Sequence, residues 1–168
     1  MNWIFHLREQ VLILLVERTK PIYTQLFKRQ QVAWKISRQQ LRSYPPDSLG
    51  YELGDFLYQQ DIDLIPKLED HDVMHVLFKY QTTVVDEARM QFFLLGNGKR
   101  SLYALCTALI ALVLIPEHYS TYWQEFQKGR HCLNISKWDF QHLLSEPLEL
   151  LRLQIKKQDL GEEAPLYM

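Results

Sequence analysis

Glu69-Asp70-His71-Asp72-Val73-Met74-His75, followed by Thr82-Thr83 and then Glu87, is the stretch on which the fold turns. On a helix over 69–79, successive side chains advance by about 100°, so with His71 at zero His75 falls at roughly 40° and Asp72 at roughly 100°. Two imidazoles and a carboxylate then share one face, within reach of a single ion. An unbroken helix would carry Glu87 roughly 24 Å up the axis from His71, at about 1.5 Å per residue, too far to join them. Thr82 and Thr83 are good N-caps, and Thr83 with Asp86 forms a capping-box-like pair that starts a new helix. A turn across Lys79–Thr83 can therefore fold the second helix back and bring Glu87 to the other three. His71, Asp72, His75 and Glu87 make a nitrogen and oxygen set suited to zinc, manganese or ferrous iron, and the two carboxylates offset a divalent charge. The plainer alternative is a solvated polar helix face. Three clustered ligands, with a fourth just inside a newly capped helix, favour a metal.

Downstream, the helix carrying Glu87 spans 84–95 and stops at Gly96-Asn97-Gly98. Leu102–Ile115 has almost no polar side chain. Its 14 residues fall short of the ~20 that cross a bilayer, so it reads as the buried apolar central helix of the domain. Ala104, Ala108 and Ala111 recur on it at helical spacing, a face suited to close packing or, alternatively, to an apolar ligand. Pro116 ends that helix. Tyr119, Tyr122, Trp123 and Phe126 then form an aromatic stripe of the kind that more often builds core, ended by Gly129. Ser136 caps a predicted helix over Lys137–Leu144, and Ser145-Glu146-Pro147 starts another.

Upstream, residues 3–19 carry an apolar stripe that Pro21 breaks, and 22–42 continue as a basic helix or pair. Ser43–Gly50 reads as a loop, and Tyr51, Leu53, Phe56 and Leu57 support a short helix. There is no convincing alternating strand, internal repeat, phosphate-binding glycine loop or nucleophile elbow. The reading is all-α: one helical bundle over 1–160, with basic N-terminal helices at 1–43, a metal-site core at 51–157 and a loose tail at 161–168.

A chain of 168 residues is long enough for a real core, and a net charge of −1 with no dominant basic patch argues against nucleic acid. Basic residues outnumber acidic ones through residue 50, an asymmetry compatible with an anionic surface, a membrane face included. Cys106 and Cys132 have neither knuckle nor redox spacing, which suits a reducing, cytoplasmic setting. No signal-peptide pattern is expected at the N-terminus, where Val11–Val16 is short and lacks a cleavage site.

At His71-Asp72-x-x-His75 with Glu87 the chain resembles the coenzyme Q (ubiquinone) biosynthesis Coq-four family, as a divergent bacterial member. Ser48-Leu49-Gly50, His75-Val76-Leu77, Thr82-Thr83-Val84, Glu146-Pro147-Leu148 and Leu151-Arg152 follow the same pattern, so the resemblance covers roughly 44–155. It implies an all-helical, usually dimeric protein holding a divalent metal, zinc by preference, on His71, Asp72, His75 and Glu87. It also implies a hydrophobic channel for a polyprenyl chain and peripheral attachment to a quinone-making membrane. Family members support removal of the ring carboxyl of the quinone precursor, with replacement by hydroxyl, and are described as organisers of the biosynthetic complex. This chain departs from the pattern at Lys79 and Asp86, where the family tends to have glycine, and at Gly96–Arg100.

The leading expectation is thus a metal-dependent protein acting on the headgroup of a prenylated aromatic acid. The ion would act as a Lewis acid, Glu69 and Asp70 would support the histidines, and Ala104, Ala108 and Ala111 would line the tail site. The catalytic residues beyond the metal set are not assigned. A second reading keeps the metal as a staple in a lipid-binding scaffold that presents a quinone precursor to partner enzymes. A third, a metal phosphohydrolase of the His-Asp class, needs an upstream histidine for which His6 is the candidate.

Overall fold

The computed structural model describes residues 32–156 and, near the N-terminus, residues 3, 6–8, 10, 11, 14 and 18. Those N-terminal residues are helical. The remaining helices are α1 (Arg38–Leu41), α2 (Leu49–Gln60), α3 (Glu69–Phe78), α4 (Val84–Gly96), α5 (Leu102–Leu114), a 3-10 turn at Pro116–His118, α6 (Tyr119–His131) and α7 (Leu148–Lys156). Among the described residues there is no strand beyond an isolated bridge, so the fold is all-α. The chain divides into two compact units, one formed by 30–80 with 137–168 and the other by 81–136 with the N-terminal residues. Residues 81–136 of the second unit therefore interrupt the first in sequence. The expected tail at 161–168 lies outside the described residues.

In the unit that carries α3, two short motifs far apart in sequence are tied together. Ser48 caps α2, its hydroxyl accepting from the Tyr51 amide. Leu49 N–H donates to Glu146 O at 2.9 Å, Gly50 N–H to Leu144 O at 2.8 Å and Leu148 N–H to Asp47 O at 2.9 Å. The approach is so close that a Cβ on Gly50 would strike both the Leu144 carbonyl and the Tyr44 ring. Two sequence expectations are corrected in this unit. Of the helix expected over 22–42, residues 22–31 lie outside the described ones; Val32–Ser37 is not helical and Arg38–Leu41 is, because Ser37 and Gln40 form a reciprocal capping box that starts a helix there. Lys137–Leu144 forms turns rather than a helix. Trp138, Phe140, Leu143 and Leu144 are all buried, a set of positions that no single helix face supplies.

In the other unit, α4 and α6 cross at two glycines. A Cβ on Gly96 would collide with the Phe126 carbonyl oxygen, and one on Gly129 with that of Phe93. Gly129 thus lies within α6 and does not end it, as its position in the sequence suggested. Asn97, buried just past α4, donates to the carbonyls of Leu133 and Gly129 and accepts from Ile135 N–H, fixing the chain that leaves α6. Ala111, Ala88, Ile115 and Tyr122 form a core cluster, with Phe92 stacked on Tyr122 at 4.8 Å.

Helix α5 is the one whose burial differs most from expectation. Its small-residue face is buried, with Ala104, Ala108 and Ala111 at most 2% exposed, whereas Leu105, Leu109 and Val113 are 46, 53 and 78% exposed. Only half of this apolar helix is core. The alanines let it approach its neighbours, and the longer side chains are left outside. The aromatic stripe of α6 divides in the same way, Tyr122 being buried while Tyr119 and Trp123 are exposed.

Candidate metal centre

Helix α3 begins without a side-chain cap, but Glu69, Asp70 and Asp72 in its first turn complement the positive end of the helix dipole. It ends at Lys79, whose φ of 59° is left-handed. That conformation costs an L-residue roughly 1–2 kcal/mol, which is the physical reason for glycine at such a position. Here Lys79 adopts it, and its amide still donates to His75 O. The last carbonyls of α3 are satisfied from far away in sequence. Arg152 on α7 donates from Nη2 to Val76 O at 2.7 Å and from Nε to Leu77 O at 3.0 Å.

His75 is 3% exposed, and Phe56 of α2 stacks on its ring with centroids 5.5 Å apart. Its Nδ1 lies 3.1 Å from Tyr80 O. A carbonyl can only accept, so Nδ1 carries a proton, which in the neutral ring leaves the lone pair on Nε2. Nε2 of His71 lies 3.3 Å from that atom, the two rings meeting edge to face. For an ion with Zn–N bonds of about 2.05 Å in tetrahedral geometry, two nitrogens sit about 3.3 Å apart. The spacing of the two histidines therefore suits one ion. With Glu87 they make a histidine–carboxylate group that could hold a metal ion.

Asp72 is not in that group; it is on the same helix and 6% exposed. Glu69 is 2% exposed, and its Oε1 accepts the Trp34 amide at 3.0 Å, while Asp70 is half-buried. The partner seen on His75 is a backbone carbonyl, that of Tyr80, which no side-chain pattern could reveal. In the sequence Arg152 stands out only through the Leu151-Arg152 motif, and its hold on α3 crosses 75 residues of sequence.

Helix α4 starts as expected at Thr83, whose hydroxyl accepts from Asp86 N–H at 3.2 Å. The reciprocal half of a capping box is replaced: the Asp86 carboxylate accepts from Gln81 N–H at 3.1 Å and from Arg89 Nη1 at 2.6 Å. Burial works against the Arg89 charge. Hydrogen bonding and attraction from Glu125, and then from Asp86, outweigh it and hold its pKa above the ordinary value.

The fold and this group define an all-α protein with a histidine–carboxylate group that could hold a metal ion. No family model matches the chain, and no curated protein matches it. A crystal structure at 2.85 Å from Nostoc punctiforme PCC 73102, provisionally described as a ubiquinone biosynthesis protein, is similar with a TM-score of 0.55. The match covers 91% of this chain and 81% of that one at 18% sequence identity, a level at which the likeness speaks for the fold. Among the described residues no single helix is long and apolar enough to cross a membrane.

Proposed function

We propose that this chain is a divalent-metal protein of quinone biosynthesis that acts on the headgroup of a prenylated aromatic acid. His71, His75 and Glu87 would hold the ion, with Asp72 as a fourth ligand. The observation that carries the reading is the His75 ring, whose Nδ1 is committed to Tyr80 O so that Nε2 faces the His71 nitrogen 3.3 Å away. Two imidazole nitrogens and a carboxylate suit zinc, and the bound ion would supply Lewis acidity at carboxylate and phenolate oxygens of a headgroup.

The protein's own part is orientation and exclusion of water. Tyr80 O holds one tautomer of His75, Phe56 covers that ring, and Arg152 keeps the last turn of α3 closed. The exposed side chains of Leu105, Leu109 and Val113 would meet the polyprenyl tail or the membrane that delivers it, leaving the alanine face to packing. The described likeness to the Nostoc protein supports a place in the same chemistry, with a homodimer and peripheral membrane attachment as parts of the proposal.

Metal analysis of natively purified protein, with turnover of a prenylated phenolic aromatic acid, tests the proposal. One equivalent of zinc, lost in His75→Ala, and carbon dioxide release by the wild type are expected. A protein that neither retains nor binds metal refutes the proposal. Lost turnover with retained fold in Glu87→Ala supports the enzyme, whereas unfolding of that variant supports a metal-stapled scaffold.

A further inference from the structure

We infer that the ion-pair chain Asp86–Arg89–Glu125 sets the direction of Glu87, so that these three are positioning residues for the metal centre. This rests on the reading of Glu87 as a ligand. Glu87 lies in the first turn of α4, immediately after Asp86. The two oxygens of Asp86 are committed in different directions, Oδ2 to Gln81 N–H in the entering turn and Oδ1 to Arg89 Nη1 one turn up the helix. Arg89 Nη2 then reaches Glu125 Oε1 on α6 at 2.5 Å, and Lys128 Nζ stands 3.5 Å from the other oxygen of Glu125. The Glu125 side chain is only 7% exposed and that of Asp86 16%.

Capping alone does not call for this arrangement. Thr83 already caps the helix, and an acid in the first turn is favoured by the helix dipole without a cation. Stability alone does not call for it either, since apolar residues often replace buried ion pairs at no cost. Geometry is what the network adds. It fixes the backbone on both sides of Glu87 and neutralises Asp86, whose charge would otherwise repel a ligand carboxylate beside it. Networks that orient a ligand typically change metal affinity 10–100-fold when broken.

The test uses the full chain and Zn2+ itself, with affinity measured by chelator competition, the Co2+ ligand-field spectrum and the urea midpoint. Glu125→Gln and Asp86→Asn keep side-chain shape. Each is expected to weaken Zn2+ binding about 10-fold or more and to alter the Co2+ spectrum. In a Glu87→Gln background, Glu125→Gln is expected to have no further effect on affinity. A lowered urea midpoint with unchanged affinity and spectrum would mark the network as structural and overturn the inference. Unchanged affinity in Glu87→Gln alone would instead remove the ligand reading, and the inference with it.

Discussion

Replacing Arg152 by methionine isolates the contact that closes the metal-bearing helix. The substitution keeps an unbranched stem against α3 and removes the donors to Val76 O and Leu77 O. Both residues are buried, Val76 at 7% and Leu77 at 2% exposure, so their carbonyls have little access to water. A hydrogen bond from a charged group contributes about 1.5–3 kcal/mol, which puts a ceiling of roughly 3–6 kcal/mol on the pair. The Arg152 side chain is 15% exposed, and some water can enter in its place, so about 3 kcal/mol is expected. At this chain length that is a fall of roughly 6–12 °C in Tm. Urea denaturation followed by far-ultraviolet circular dichroism measures it. Arg152→Lys, which cannot serve two carbonyls in a fixed fork, should recover only part of the loss. Glu149→Gln removes the exposed ion pair with Arg152 and should move the midpoint little. A loss below about 0.5 kcal/mol in Arg152→Met, the level of an ordinary surface change, would refute the capping argument.

Gly129→Ala should be among the most damaging single-methyl changes in the chain, because its Cβ meets the Phe93 backbone carbonyl, which cannot rotate away. A loss of about 3 kcal/mol or failure to express folded protein is expected, and wild-type stability would show that α4 and α6 can separate freely. The Tyr122 phenol, its hydroxyl buried and without a hydrogen-bond partner among the described residues, is held above its ordinary pKa of 10.0, first by burial and then by the Glu117 charge. Its folded pKa exceeds the unfolded one, so its contribution is fully present below that value and is lost as the pH climbs above it. In absorbance titration at 295 nm this phenol should stay silent until the protein unfolds; ionisation of every tyrosine in a still-folded protein would contradict the burial.

Local signals told most of the truth about where helices begin. Ser48, Thr83 and Ser101 each cap a helix with a side chain that reaches only three residues ahead. The same short range placed His71 and His75 on one face of α3, since helical periodicity is a property of the backbone alone. At Ser136 a similar local signal failed, because burial of Trp138, Phe140, Leu143 and Leu144 asks for turns.

By itself, then, the sequence determined the all-α class, the cap at Thr83 and the pairing of two imidazoles one turn apart. The tertiary structure alone decided which face of α5 is core, because an apolar helix carries no mark of the side it will bury and the smaller face wins by closer approach. It also decided that Tyr80 O fixes the His75 tautomer, that Arg152 closes α3, and that Asp86 answers to Arg89 and Glu125. Those are contacts between backbone or charges that only folding brings together. His71 and His75 meet on one face of α3 as helical periodicity requires, and the fold adds the Tyr80 carbonyl that orients the His75 ring.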